Sequence, residues 1–204
     1  MRPFVKETGR AIDLPRDNID TDQLIPARFM SRSRSEGYGD YLFHDLRRDP
    51  DGALDPAFPL NGAADRPFLI VGENFGCGSS REAAVYALQD GGIRAVIGRG
   101  FADIFRSNAM KNGLLPVQLP LEEHMRLRGL LEEDPDLTLE VDLETCRVVA
   151  AGEHVFAFQI EAAAQRKLLK GLDEIAETLE QEREIAGFTQ RHRQRFPWVF
   201  VRAS

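Results

Sequence analysis

The densest group of side chains able to do chemistry is Gly72-Glu73-Asn74-Phe75-Gly76-Cys77-Gly78-Ser79-Ser80-Arg81-Glu82. It follows a continuous apolar run and precedes a helical pattern, so it reads as a strand-to-helix turn. Backbone N–H groups at a helix start are unpaired and carry positive potential, which favours an anion. Glycines let backbone approach a ligand closely. Ser79 and Ser80 add two hydroxyls, and Arg81 adds a planar fork suited to a carboxylate. A small carboxylate fits this combination.

A structural reading competes with the chemical one. Ser79-x-x-Glu82 has the spacing of a capping box, and the local pattern by itself favours the cap. The cap leaves the adjacent arginine and the cluster of glycines unexplained. Two other motifs fail on spacing. A dinucleotide fingerprint needs a third glycine where Arg81 and Asp103 stand. A nucleophile elbow needs glycines two residues either side of its serine, where Cys77 and Arg81 flank Ser79. Cys77 reads as a small residue in a tight turn.

A second group is Asp20-Thr21-Asp22-Gln23-Leu24-Ile25-Pro26, whose alternating carboxylates are cation ligands or loop caps. Arg28 follows it, and of the arginines Arg28, Arg32 and Arg34 it is the one best placed to meet a carboxylate. A third group, Phe101 to Asn108, reads mostly as a packing helix with Phe101, Ile104 and Phe105 on one face. Asn108 is its candidate polar contact.

The 204 residues carry a formal charge of −7 and are 43% hydrophobic. Such a chain can bury a sizeable core and is a poor binder of phosphate backbones. No apolar run is long enough to span a bilayer, and Met1 to Phe4 begin no secretory signal. The expectation is a soluble cytoplasmic protein with no nucleic-acid or membrane partner. Two cysteines, no CxxC pair, and His44, His124, His154 and His192 far apart predict no metal site in this chain.

The elements around these groups alternate. Strands are predicted at 67–71, 94–98 and 114–119, with helices at 81–90, 101–112 and 121–133, implying crossover units and a largely parallel layer. Short antiparallel strands follow at 137–143, 147–150 and 154–160. Residues 29–66 are read as an irregular substrate loop, with Tyr38, Tyr41 and Phe43 expected to pack, and its 29–45 part is expected to be mobile without a partner and to help set substrate choice. Residues 161–204 read as a helical tail ending in a basic, aromatic docking or packing segment. The organisation expected is one α/β domain over 1–204.

Taken together, Asp20 to Pro26, Glu73 to Glu82, Phe101 to Phe105, Leu114 to Val117 and Gly171-Leu172-Asp173 resemble, in order and across nearly the whole chain, the small swivelling subunits of the isopropylmalate dehydratase branch of the aconitase family. The resemblance implies a swivelling β/β/α domain with a mixed sheet and a helical C-terminal extension. It implies a hydro-lyase interconverting 2- and 3-isopropylmalate, active only with a large subunit that carries a [4Fe–4S] cluster, with no cofactor bound by this chain. By the family's pattern Ser79 is the catalytic base and Ser80 and Arg81 contact a small dicarboxylate substrate. Thr21 and Asp22 fall where a loop reaches the active site. The family usually has histidine where this chain has Ala83, which leaves open a related 2-hydroxy dicarboxylate as substrate. A non-catalytic carboxylate-binding module and a metal enzyme using Asp20, Asp22 and Asp40 remain the alternatives.

Overall fold

The structure, a computed structural model, describes residues 1–62 and 65–200; two positions of the irregular stretch and the last four of the tail lie outside it. The described chain divides into two compact units, Met1–Gly171 and Leu172–Ser204. The expected helical tail therefore splits at Gly171, its first helix belonging to the larger unit.

The larger unit is built on one mixed sheet. Four strands are β1 (Lys6–Leu14), β2 (Phe68–Val71), β3 (Ala95–Gly98) and β4 (Leu115–Gln118). The other three are β5 (Thr138–Asp142), β6 (Arg147–Ala150) and β7 (His154–Ala157), and the sheet order is β4-β3-β2-β1-β5-β6-β7. β1 joins the two halves. Its first half, Lys6 to Arg10, pairs antiparallel with β5, and its second half, Ala11 to Leu14, pairs parallel with β2.

Apolar patterning explains the change of style. All four residues of β2 are buried, Leu69 and Val71 in one core and Phe68 and Ile70 in the other. A strand covered on both faces reads as a continuous apolar run, and its neighbours are then parallel. In β5 only Leu139 and Val141 enter the core, between the more polar Thr138 and Glu140, as in a one-sided antiparallel strand.

The helices follow the predicted order, with α1 (Thr21–Leu24) additional. α2 is Ala83–Asp90, α3 Asp103–Asn112, α4 Leu121–Glu133 and α5 Ala162–Lys170. The irregular stretch is a chain of short 3-10 turns that packs through buried Tyr38, Leu42, Phe43 and Phe58. In the smaller unit, α6 (Glu174–Leu179) is capped by Asp173 and is followed by α7 (Glu182–Arg195). The basic aromatic segment packs on itself: His192 stacks with Phe188, and Arg193 lies over Phe200.

His124 on α4 is buried, and its Nε2 lies 2.7 Å from the Val71 carbonyl oxygen at the end of β2. A carbonyl only accepts, so the ring is the Nε2–H tautomer. Burial, more than the nearby Arg128 and Arg99, holds its pKa below the ordinary value, against the pull of the Val71 bond. The unfolded chain then binds a proton near pH ~6.5 that the folded chain refuses. Stability is complete above that pH and falls as the pH drops through it. The melting temperature should decline from pH 7.5 to 5.5, and His124→Gln, which keeps an N–H donor, should flatten that decline.

Gly76 gives a second prediction. Its φ is +77°, and an added Cβ would stand 2.2 Å from Cγ of Phe105. Gly76→Ala should destabilise the fold by about 2–4 kcal/mol, the left-handed penalty plus overpacking, read by denaturant unfolding.

Candidate functional site

The site forms where loops leave the parallel strands. Beyond Leu14 and Val71 the chain keeps pairing. The N–H of Gly72 donates to Arg16 O (3.1 Å), Asn18 to Glu73 O (2.8 Å), Gly76 to Ile19 O (2.7 Å), and Thr21 to Cys77 O (2.9 Å). The loop after β3 joins in, with Phe75 N–H on Gly100 O and Ala102 N–H on Phe75 O. Three segments far apart in sequence are thus laid side by side at the carboxyl edge of the parallel half, the usual place for ligands in open α/β sheets.

The Asp20 to Gln23 run is a capping box. Asp20 Oδ1 accepts from Gln23 N–H at 2.7 Å, and Gln23 Oε1 accepts from Asp20 N–H at 3.0 Å. The spaced carboxylates thus divide their work, Asp20 starting α1 and Asp22 standing exposed beside it. No group of three or more His, Cys, Asp or Glu able to hold a metal ion occurs among the described residues.

The second expected capping box is absent. α2 begins at Ala83, two residues later than predicted, and Glu82 stands at its N-cap position without a side-chain cap bond. Glu82 Oε2 instead accepts from the Tyr86 hydroxyl at 2.9 Å. Ser79 lies ahead of the helix, and its Oγ is 2.7 Å from Thr21 Oγ1. The glycines on either side of Cys77, at φ +77° and +97°, turn the chain so that Ser79 faces α1. Thr21 is buried and Ser79 half-buried. Arg81 forms an ion pair with Asp22, and that bond, rather than burial, holds the Asp22 carboxyl below its ordinary range.

Four of the six expected site residues therefore meet in two contacts, Ser79 with Thr21 and Arg81 with Asp22. Ser80 is exposed beside them, its carbonyl accepting from Asn108 Nδ2 of α3 at 3.2 Å. Arg28 is engaged elsewhere. It pairs with Asp45, lies 3.3 Å from His44 Nδ1 and covers the ring of Phe29. That bond takes the Asp45 carboxyl down to about 2. Of the other loop arginines, Arg32 pairs with Glu36, and Arg34 lies 3.6 Å over the ring of Tyr86 on α2. Ala83 is the first residue of α2 and packs partly against the core.

A cleft of about 460 Å³ opens beside this cluster, with Ser79, Ser80, Gly76, Gly78, Asp103 and Ile104 in its lining. A larger cleft of about 650 Å³, around Arg99, Arg106 and Gln118, does not include Ser79. Ile104 departs from expectation. Phe105 is buried and stacks with Phe101, while Ile104 is 53% exposed. The signal was in the spacing: Phe101, Phe105 and Ala109 recur every four residues, and Ile104 falls outside that stripe.

Comparison with known proteins bears on the family and the fold. A family model described as the aconitase C-terminal domain matches residues 1–122, and one described as the C-terminal domain of the 3-isopropylmalate dehydratase small subunit matches residues 174–202. A 3-isopropylmalate dehydratase small subunit of Bacillus anthracis is 46% identical over 94% of this chain and 98% of its own. One of Roseobacter denitrificans is 43% identical over 98% and 100%. The crystal structure of a 3-isopropylmalate dehydratase of Methanocaldococcus jannaschii superposes with a TM-score of 0.64 at 28% identity, covering 91% of this chain and 99% of that one. A mixed sheet with this order, two loop motifs clasped at its parallel edge, and matches along nearly the whole length lead to one conclusion: the chain belongs to the 3-isopropylmalate dehydratase small-subunit family.

Proposed function

We propose that this chain is the small subunit of a heteromeric hydro-lyase that interconverts 2-isopropylmalate and 3-isopropylmalate by dehydration and rehydration, in the cytoplasmic synthesis of leucine. The observation that carries the reading is the 2.7 Å contact between Ser79 Oγ and Thr21 Oγ1, set beside the Arg81–Asp22 ion pair. Near-full-length relatives bearing the small-subunit name support the substrate and the need for a large subunit.

The residues of this chain do not fit an iron–sulfur cluster, which is held mainly by several thiolates. The chain has two cysteines, one in the Gly76 to Gly78 turn and one between β5 and β6. On this reading a [4Fe–4S] cluster belongs to the large subunit, and this chain handles the proton and a carboxylate.

Ser79 is the base that takes the proton from the carbon next to a substrate carboxylate. A free serine is far too weak for this, so the protein must stabilise the alkoxide. An alkoxide only accepts hydrogen bonds, so in that state Thr21 is the donor. Thr21 is buried, which removes water as a competitor and strengthens the bond. Arg81 adds positive charge next to Ser79. A guanidinium carries five N–H donors in a planar fork, and Asp22 engages Nη1. The ion pair thus fixes the plane of the fork while the remaining donors meet a substrate carboxylate. Because Arg81 keeps Asp22 ionised below the ordinary carboxylate range, this arrangement holds throughout neutral pH.

Two experiments test the reading. The purified chain should be colourless and without turnover, and mixing with the large subunit should produce isopropylmalate isomerisation; turnover by the chain alone would overturn the division of labour. In the assembled enzyme, Ser79→Ala should lower kcat by at least the ~10²-fold typical of lost acid–base assistance. Ser79→Ala uncaps no helix, and its cost in the unfolding curve should be about 1–3 kcal/mol, that of leaving the buried Thr21 hydroxyl without its partner. Near-normal kcat would contradict Ser79 as the base.

A further inference from the structure

The cleft beside Ser79 has an apolar side that proton transfer does not explain. Ile104 is the second residue of α3 and stands more than half exposed. The inward side of this turn is taken by buried Phe105, which packs with two more aromatic rings. Phe101 and Phe105 stack at 6.2 Å between centroids, and Phe75 meets them edge-on at 6.3 and 5.1 Å. The Phe105 ring also closes on Gly76 so tightly that no side chain fits there. The glycine loop and the first turn of α3 are locked together, and Ile104 is held as a wall of the cleft. Among the lining residues it alone carries a large apolar side chain. Next to it stands the exposed Asp103 carboxylate, with no ion-pair partner among the described residues.

We propose that Ile104 and Asp103 form the pocket for the substituent on the carbon that Ser79 deprotonates, accepting a branched alkyl group and refusing a carboxylate. The inference rests on the proposed hydro-lyase reading and adds its specificity element. In the 3-isomer, the carbon that gives up its proton also bears the isopropyl group. That group therefore lies one bond from the atom Ser79 touches, inside the same cleft. Contact with Ile104 removes apolar surface of both partners from water. A carboxylate in the same place would face Asp103, a like charge, in a cleft whose lining does not include Arg81.

The test uses the assembled two-subunit enzyme and three malates differing only at C3, which bears isopropyl, methyl or carboxymethyl. Ile104→Ala should lower the isopropyl-to-methyl ratio of kcat/KM by about ten- to a hundred-fold, the range for lost methyl contacts in an apolar pocket. Asp103→Asn should raise the carboxymethyl-to-isopropyl ratio by about tenfold, the scale of one screened like-charge contact. Equal losses on all three substrates, or both ratios unchanged within about twofold, would overturn the pocket while leaving the hydro-lyase reading intact. Failure of the wild-type enzyme on every C3-alkyl malate would instead overturn the reading beneath it.

Discussion

The site depends on parallel pairing that continues past the ends of its strands. β1 and β2 run side by side through Leu14 and Val71, and the loops leaving them exchange four more backbone bonds up to Thr21 and Cys77. Backbone groups in a loop must find partners or stay in water. Here each loop satisfies the other, so neither can move without unpairing both. The result is that a hydroxyl and a carboxylate from the first motif meet a hydroxyl and a guanidinium from the second, 58 residues away in the Thr21–Ser79 case. On the proposed reading, preorganisation of this kind is what lets a weak base act, because the donors are in place before charge develops.

The same constraint takes the capping role away from Ser79. A serine three residues before a glutamate at a helix start is ordinarily structural. Here the twist imposed by the glycines on either side of Cys77 delays α2 until Ala83 and leaves Ser79 in the loop. α2 starts without a side-chain cap, and the capping box of the site belongs to α1, where Asp20 fixes the very turn that presents Thr21. The cap and the Ser79 hydroxyl thus stand on opposite sides of the clasp. α3 braces the arrangement through Asn108 on the Ser80 carbonyl and through Phe105 against Gly76.

Much of this was legible in the sequence. The apolar run Pro67 to Val71 read as a buried strand, and Leu121 to Glu133 was readable as a helix to the residue. The residue types of the site were also readable, since glycines, hydroxyls and an arginine between a strand and a helix point to a small anion. Which of them touch was not, because contact between Thr21 and Ser79 is decided by strand register over a separation that no local pattern encodes. Ile104 was misread although the four-residue spacing of Phe101, Phe105 and Ala109 separates it from the inward stripe, a stripe that the ring packing of Phe75, Phe101 and Phe105 holds inward. Arg28 looked available in the sequence, and only the fold reveals Asp45 beside it.

The central claim is that the Thr21 hydroxyl acts on turnover through Ser79. A double-mutant cycle in the assembled enzyme, with Thr21→Val and Ser79→Ala, measures it directly. Residues that act as a unit are non-additive. Thr21→Val should therefore lower kcat by about tenfold or more when Ser79 is present, and should have little further effect on the residual rate of Ser79→Ala. Equal, additive losses in both backgrounds would mean that Thr21 serves only the fold, and would contradict the account.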